Sequence, residues 1–323
     1  MIQNSVTDFF DSKVQKELNE NGCFIYTMEN ETGKGVITQH NILPGIELFF
    51  NDFHMSDGHN KNKLPREGII EINHCREGRF ECEFSNGDFQ YVGAGDLSIH
   101  RLMQETKNTL FPMSYYYGIS ITIDLNKATN MLRKLENVMG SLDIDLYKIA
   151  ETLCDKDTCF VLRGKSAIQH IFSELYTVEP DMIAHYLKVK VLELLMYLND
   201  IEVDEYIREK RYFSNNQVKI IKEIHDFMIK NISHHYTLNE LSDMFGISLT
   251  SMKVCFKGVY GRSIYSYIKS YRMQIATVLL TEKKLSITDI AMKIGYENPS
   301  KFSECFKNEF GKLPSEFKKQ LSK

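Results

Sequence analysis

The 323-residue sequence lacks the features of membrane and secreted proteins. No run approaches the 18 apolar residues of a membrane-spanning helix, and the opening Met-Ile-Gln-Asn-Ser lacks the basic, apolar leader of a signal peptide. The seven cysteines are odd in number and form no Cys-x-x-Cys motif. We therefore expect a cytoplasmic protein with reduced thiols and no membrane partner. A redox pair between Cys154 and Cys159 remains the alternative.

Motifs for metal binding and catalysis are also missing. No His-x-His pair occurs, His54 and His59 lie in a polar stretch, and His234 and His235 are adjacent. The sequence has no glycine-rich phosphate loop, no Ser-His-Asp order and no paired-acid motif. We therefore expect no metal, no cofactor and no catalytic residues, and interpret the chain as a protein other than an enzyme.

Charge is unevenly distributed along the chain, although the overall net charge is only −4. Residues 214–323 contain 17 Lys and Arg against 10 Asp and Glu, a net of +7, which leaves −11 for residues 1–213. A basic segment favours phosphate neutralisation and therefore a nucleic-acid partner. The acidic remainder indicates a different task for the rest of the chain.

A helix-turn-helix pattern occurs twice within the basic segment. In the first copy, Thr237 and Glu240 fit a capping box, and Gly246 stands where a helix must turn sharply. Ser248 can then cap the following helix. The predicted apolar face of the first helix consists of Leu238, Leu241, Met244 and Phe245.

The second copy repeats this order. Ser286 and Asp289 match the capping pair, Gly295 opens a turn one residue longer, and Asn298 caps a helix that begins with Pro299. In each copy the second helix shows a polar face opposite its apolar one. The candidate DNA-binding residues of the two faces are Ser248, Thr250, Ser251, Lys253, Val254, Lys257, Ser300, Lys301, Ser303, Glu304 and Lys307.

The final third of the chain resembles the DNA-binding domain of AraC/XylS-type bacterial transcription regulators. The resemblance rests on the two repeats, on Phe-Lys pairs ending at Lys257 and Lys307, and on Tyr-Ile-Lys-Ser-Tyr-Arg-Met around Arg272. It implies an all-α domain of two helix-turn-helix units, joined by one long helix over about residues 263–280. It also implies double-stranded DNA as a partner, with RNA polymerase as a further one.

The resemblance assigns roles to the candidate DNA-binding residues. Lys257 and Lys307 are expected near phosphates, where they add affinity without sequence preference. The base edges are expected to meet Thr250, Lys253, Val254, Ser300, Ser303 and Glu304. Lysine can donate to guanine and glutamate can accept from cytosine, whereas valine can only touch a thymine methyl group.

Short β-rich segments separated by glycine dominate residues 24–125. We predict strands over residues 69–75, 79–84, 89–92 and 97–100, with a turn at residues 76–78 between the first two. Such spacing favours a small barrel or sandwich. The pattern loosely resembles the cupin-like sensor barrel that precedes many AraC-type domains, which implies a small-molecule effector.

Alternation along these strands selects three candidate ligand contacts. Tyr115 and Tyr117 share the side of Ile119, and His74 shares the side of Ile72. A sugar, a siderophore-like compound or an aromatic metabolite would each fit a tyrosine-lined pocket. Packing of the same three side chains within the core remains the alternative.

The pattern between residues 166 and 212 is helical, and Lys210-Arg211 marks a linker. Two interpretations of its apolar stripe stay open, packing against the barrel and dimerisation through a helix pair. The stripe consists of Leu187, Val191, Leu194, Leu195 and Leu198.

These patterns predict an α+β protein with three segments. Residues 1–165 form a β-barrel, ligand-sensing domain, residues 166–213 a helical dimerisation segment, and residues 214–323 a double helix-turn-helix domain. The function that the resemblance implies is a homodimeric regulator whose effector controls DNA binding or transcription activation. The alternatives are a ligand-independent DNA-binding regulator and a DNA-targeted alkyl-transfer enzyme, for which Cys75 between His74 and Arg76 is the residue to test.

Overall fold

A computed structural model divides the chain into two compact units, Met1–Phe213 and Ser214–Lys323. No helix in the part of the chain that it describes is long and apolar enough to cross a membrane. His59, Cys159, Lys210 and Arg211 lie outside the described residues. The described residues are 14–19, 22–58, 67–83, 89–102, 109–154, 160–163, 166–179, 182–201, 213–282 and 285–321.

The N-terminal unit is built on an antiparallel sheet. The main path of hydrogen-bonded strands runs β1-β2-β3-β4-β9-β5-β7-β10, and β6 and β8 pair with the far end of β5. Over the described residues this path has two separate ends, so a closed cupin-like barrel is not confirmed. The strands are β1 (Gln15–Leu18), β2 (Phe24–Asn30), β3 (Gly33–Leu43), β4 (Ile46–His54), β5 (Ile69–Glu83), β6 (Phe89–Gly93), β7 (Asp96–Arg101), β8 (Thr109–Leu110), β9 (Tyr116–Asp124) and β10 (Phe160–Arg163).

Strand β5 is one continuous strand, so the predicted turn at residues 76–78 is wrong. The register against β9 shifts between Cys75 and Glu77, which is a β-bulge. Gly78 lies in the left-handed region at φ +81°, and a Cβ there would come 2.2 Å from the backbone oxygen of Tyr115. Pairing with β9 therefore overrides the local turn signal and converts it into a bulge.

Four helices belong to the same unit: α1 (Leu125–Met139), α2 (Leu146–Leu153), α3 (Ser166–Leu175) and α4 (Ile183–Asn199). The sequence interpretation missed α1 and α2, which lie inside the segment expected to be β-rich. Asp124 and Asp145 cap them by accepting backbone N–H groups of the first turn. The helices pack with the isoleucines of β5 and β9 in one hydrophobic core.

The apolar stripe of α4 lies inside this core. Its five residues, Leu187, Val191, Leu194, Leu195 and Leu198, are between 0 and 2 % exposed. Packing within the unit therefore occupies these side chains, and they have no surface left for a second chain. The prediction of a dimer interface on this stripe is therefore wrong. The exposed apolar side chains of α4 include Val189 and Met196, which lie on another face.

The regular elements of the C-terminal unit are helices over its described residues. Its second half has a separate core in which Met273 and Leu280 of the longest helix meet Ile290, Phe302 and Phe306. The helices are α5 (Asn215–Lys230), α6 (Leu238–Phe245), α7 (Leu249–Tyr260), α8 (Ile264–Thr281), α9 (Ile287–Lys293), α10 (Pro299–Phe310) and α11 (Pro314–Leu321).

Candidate nucleic-acid interface

The first helix-turn-helix unit consists of α6 and α7. The backbone N–H of Thr237 donates to the Glu240 carboxylate at 2.7 Å, and the Glu240 N–H donates back to the Thr237 hydroxyl at 3.2 Å. These bonds from Thr237 hold the pKa of Glu240 below its usual value. Gly246 ends α6 in the left-handed region at φ +62°, and the Ser248 hydroxyl caps α7 by accepting the Ser251 N–H. Hydrogen bonds between residues close in sequence, together with the left-handed Gly246, thus define the turn between α6 and α7.

The two faces of α7 differ as the sequence predicted. Met252, Cys255, Phe256 and Val259 are buried. The outward residues Thr250, Lys253, Val254 and Lys257 are exposed, and Ser248 is exposed with Ser251 half-buried beside it. One expectation for the preceding helix is wrong, because Met244 is 55 % exposed rather than part of the apolar face.

The second unit consists of α9 and α10 and repeats these contacts. The Ser286 N–H donates to Asp289 at 2.9 Å, and the Asp289 N–H donates to the Ser286 hydroxyl at 3.1 Å. Helix α9 ends at Lys293 with Ile294 as its C-cap, and Gly295 follows at φ +86°. The Asn298 side chain then accepts the N–H groups of Ser300 and Lys301 to begin α10.

The outward face of α10 carries Ser300, Lys301, Glu304 and Lys307, all exposed. Ser303 is half-buried, and its hydroxyl donates to the backbone oxygen of Pro299 at 2.9 Å. That bond satisfies the hydroxyl within the helix. Ser303 can therefore only accept a hydrogen bond from a base through its oxygen lone pairs, unless the side chain rotates.

Arg272 on α8 connects the two helix-turn-helix units within the C-terminal unit. It is 4 % exposed, and burial lowers the pKa of its guanidinium. Its Nε donates to the backbone oxygen of Ile232 at 3.0 Å, and one terminal nitrogen donates to that of His234 at 2.9 Å. The other terminal nitrogen contacts the His235 ring, whose Nε2 lies 2.6 Å from the backbone oxygen of Gly295. The sequence placed Arg272 in this helix but gave no signal of this role.

Of the three ligand candidates in the N-terminal unit, His74 and Tyr117 both contact the Tyr176 ring, whereas Tyr115 and Tyr117 line a cavity. His74 is buried beneath α3, where its ring stacks on Phe172 at 4.0 Å between centroids and its Nδ1 lies 3.1 Å from the Tyr176 hydroxyl. Burial lowers the pKa of His74 to about 4. Its Nε2 has no hydrogen-bond partner among the described residues. His74 is thus packed in the core.

Tyr115 and Tyr117, by contrast, line one cavity of about 190 Å³. Asp52, His54 and Glu77 line it as well. Its volume lies below the roughly 300–1,000 Å³ of ordinary ligand pockets. Burial raises the pKa of Tyr117, so its hydroxyl stays protonated and can donate a hydrogen bond.

The Cys75 thiol has the wrong surroundings for a nucleophile. Cys75 is 0 % exposed, and its Sγ lies 3.6 Å from the backbone oxygen of Gly78, to which it can donate. Burial raises its pKa far above the ordinary range. A reactive cysteine needs the opposite, an accessible thiolate.

No cluster of three or more His, Cys, Asp or Glu side chains that could hold a metal occurs among the residues described. His54 pairs with Asp52 at 3.1 Å, and His234 and His235 belong to the loop around Arg272. The absence of a metal or cofactor requirement stays a prediction.

Comparison with known proteins bears on the C-terminal unit. A helix-turn-helix domain model matches residues 241–320. The HTH-type transcriptional regulator ExsA of Pseudomonas aeruginosa is 35 % identical over 105 residues, 32 % of this chain and 37 % of ExsA. The virulence regulon transcriptional activator VirF of Yersinia enterocolitica is 35 % identical over 95 residues, 29 % of this chain and 35 % of VirF.

The regulatory protein SoxS of Escherichia coli K12 is 27 % identical over 103 residues, which cover 32 % of this chain and 96 % of SoxS. The matched segment thus spans little more than a third of ExsA and VirF but almost all of SoxS. Each of these three alignments covers 32 % of this chain or less.

Proposed function

Because residues 241–320 are a helix-turn-helix domain of the AraC/XylS type, we propose that this chain is a transcription regulator that binds double-stranded DNA through α7 and α10. The observation that carries the proposal is the repeated geometry of two capped helix pairs. Each pair exposes the polar face of its second helix, and Arg272 ties the second pair to the loop that precedes the first. Two exposed helices held in one unit can enter two major-groove segments of one duplex.

The N-terminal unit, in this proposal, senses a small molecule and controls DNA binding or transcription activation. Its support is the cavity that Tyr115 and Tyr117 line, together with the opposite charge of the two parts of the chain. The small volume favours a compact effector over a large siderophore-like compound. Regulation requires that the effector bind two conformations with different affinity. Homodimerisation belongs to the proposal too, through a surface other than the buried stripe of α4.

The DNA-binding proposal is tested by selecting duplexes from a random pool with the purified protein. Enrichment of a short base sequence that spans two major-groove segments supports the proposal. Binding without enrichment of any sequence contradicts sequence-specific regulation.

Thermal-shift screening of compact metabolites against the full chain tests the proposed sensor function of the N-terminal unit. A metabolite that stabilises the chain and changes affinity for the selected duplex supports it. Failure of every stabilising compound to change DNA affinity favours the ligand-independent regulator.

Two lysines of α7 test the assignment of roles. We expect Lys253→Ala to cost about 1–3 kcal/mol on the selected duplex and to relax its sequence preference, because Lys253 faces base edges. Lys257→Ala, one turn further along the helix, should weaken selected and random duplexes to the same extent. Anisotropy titrations with both duplexes measure the difference. Equal losses from the two variants on both duplexes would contradict the assignment.

A further inference from the structure

A cleft of about 530 Å³ lies within the C-terminal unit. The beginnings of α6 and α10, the first half of α8 and the turn at Gly295 form its walls, with Thr237, Tyr265, Lys269, Asn298 and Lys301 among the lining residues. Lys301 alone of these belongs to the candidate DNA-binding set. The cleft is therefore next to the second recognition face but extends beyond it.

The charge of this cleft is positive and largely uncompensated. Lys269, Arg272 and Lys301 line it against one carboxylate, Glu297, and the two histidines His234 and His235. Within the described part of the chain, no carboxylate lies within ion-pairing distance of these three cations. Arg272 donates hydrogen bonds to two backbone oxygens and contacts a histidine ring. None of these partners carries a negative charge. A concave site of this kind concentrates positive potential and attracts an anion.

The position of the cleft indicates which anion it meets. If α7 and α10 occupy successive major grooves, the DNA backbone between those grooves must pass between the two units. In a helix-turn-helix the first helix crosses the backbone, and the cleft contains the start of that helix, Thr237, beside the start of α10, Asn298.

We propose that this cleft binds a phosphate of the DNA backbone between the two major-groove segments, with Lys269 as its principal contact. The inference rests on the proposed DNA-binding function and adds a contact on the helix that joins the two units. Lys269 would act without sequence preference, since a phosphate carries no base information. It would also favour duplexes whose intervening backbone can approach the cleft.

The test uses the full chain and the selected duplex, with anisotropy titrations over a series of KCl concentrations. Lys269→Gln should reduce the slope of log affinity against log salt by about 0.9, the value for one lost phosphate contact. Lys269→Arg should restore the slope. Lys219→Gln is the matched control, because Lys219 is exposed on α5 and lies outside the cleft. Unchanged thermal midpoints show that the variants fold.

Ethylation interference locates the phosphate. We expect one phosphate between the two footprints whose ethylation weakens the wild type but leaves Lys269→Gln unaffected. An unchanged salt slope for Lys269→Gln, with DNA binding intact, would overturn this inference alone. Failure of the wild type to bind any duplex would overturn the proposed function and the inference with it.

Free inorganic phosphate carries the same charged oxygens as the DNA backbone, so a separate experiment must distinguish the two ligands. Phosphate is exchanged for chloride at constant ionic strength in the same titration. If a backbone phosphate occupies the cleft, free phosphate competes for Lys269 and should weaken DNA binding more for the wild type than for Lys269→Gln. If phosphate instead raises the thermal midpoint of the wild type but not of Lys269→Gln, while both proteins keep the same salt slope on DNA, the cleft is a site for free phosphate and the assignment to DNA is wrong.

Discussion

At the scale of single residues, two glycines with the same place in the repeat have different roles. Gly246 and Gly295 both lie at positive φ, +62° and +86°. A Cβ on Gly246 would meet nothing within 4 Å, whereas one on Gly295 would come 2.4 Å from the backbone oxygen of Ser233. Gly246 is therefore required only for its backbone conformation, and Gly295 also for the close approach of the loop that Arg272 holds.

We expect Gly246→Ala to destabilise the C-terminal unit by about 1 kcal/mol, the cost of a left-handed residue with a side chain. Gly295→Ala should cost about 2–4 kcal/mol, because overpacking against a fixed backbone adds to that strain. Urea unfolding of the two variants measures both free energies. Equal losses would show that the Ser233 contact relaxes without cost, contrary to this account.

His74 should make the stability of the N-terminal unit depend on pH. Burial lowers its pKa from 6.5 to about 4, so between these values the unfolded chain takes up a proton that the native chain does not. The contribution of neutral His74 to the free energy of unfolding is complete above about pH 6.5. It is lost as the pH falls towards 4, by about 3 kcal/mol in all. His74→Phe, which keeps an aromatic ring against Phe172, should flatten this part of the curve. An unaltered curve for His74→Phe would refute the prediction.

At the scale of elements, the capping boxes give the two helix-turn-helix units their boundaries. Thr237→Ala and Ser286→Ala each remove an acceptor for a free N–H at the start of a helix. We expect each to cost about 1 kcal/mol. Thr277→Ala is the control, because its hydroxyl donates only to the backbone within α8. Urea midpoints measure all three, and a loss for Thr277→Ala as large as for the caps would argue against capping as the cause.

The same elements explain why the C-terminal helices could be predicted. Caps, glycines and apolar spacing act within a few residues, so the sequence around Thr237 and Ser286 contained the boundaries that the structure has. The joining helix, expected over about residues 263–280, runs from Ile264 to Thr281. The function of Arg272 could not be inferred, because its partners Ile232 and His234 are remote in sequence.

The N-terminal elements depend on contacts between distant residues, and there local patterns were weaker guides. Alternation placed His74 and Tyr117 on the side of the isoleucines, but it could not show that Tyr176 contacts both rings or that Phe172 of α3 stacks on His74. The stripe of α4 was equally consistent with packing and with dimerisation, and only the tertiary structure distinguishes them. The bulge at Gly78 also follows from pairing with a strand about forty residues away.

At the scale of the whole molecule, the two units differ in charge and have separate cores. Residues 214–323 carry +7 and residues 1–213 carry −11. The hydrophobic cluster of α8, α9 and α10 and all the contacts of Arg272 lie within the C-terminal unit. The core and the helix-turn-helix geometry of this unit therefore depend on residues of the unit itself.

We expect residues 214–323, expressed alone, to fold cooperatively and to bind random duplex DNA more tightly than the full chain at low salt. The acidic unit repels the duplex when present, and this repulsion acts over roughly 10 Å at 0.1 M salt. The advantage of the fragment should therefore shrink as KCl is added, until the two proteins bind alike. Circular dichroism and anisotropy over the salt series measure folding and affinity. A fragment that folds but binds no better than the full chain at low salt would show that the acidic unit does not oppose DNA binding. Control by an effector would then have to act through something other than charge.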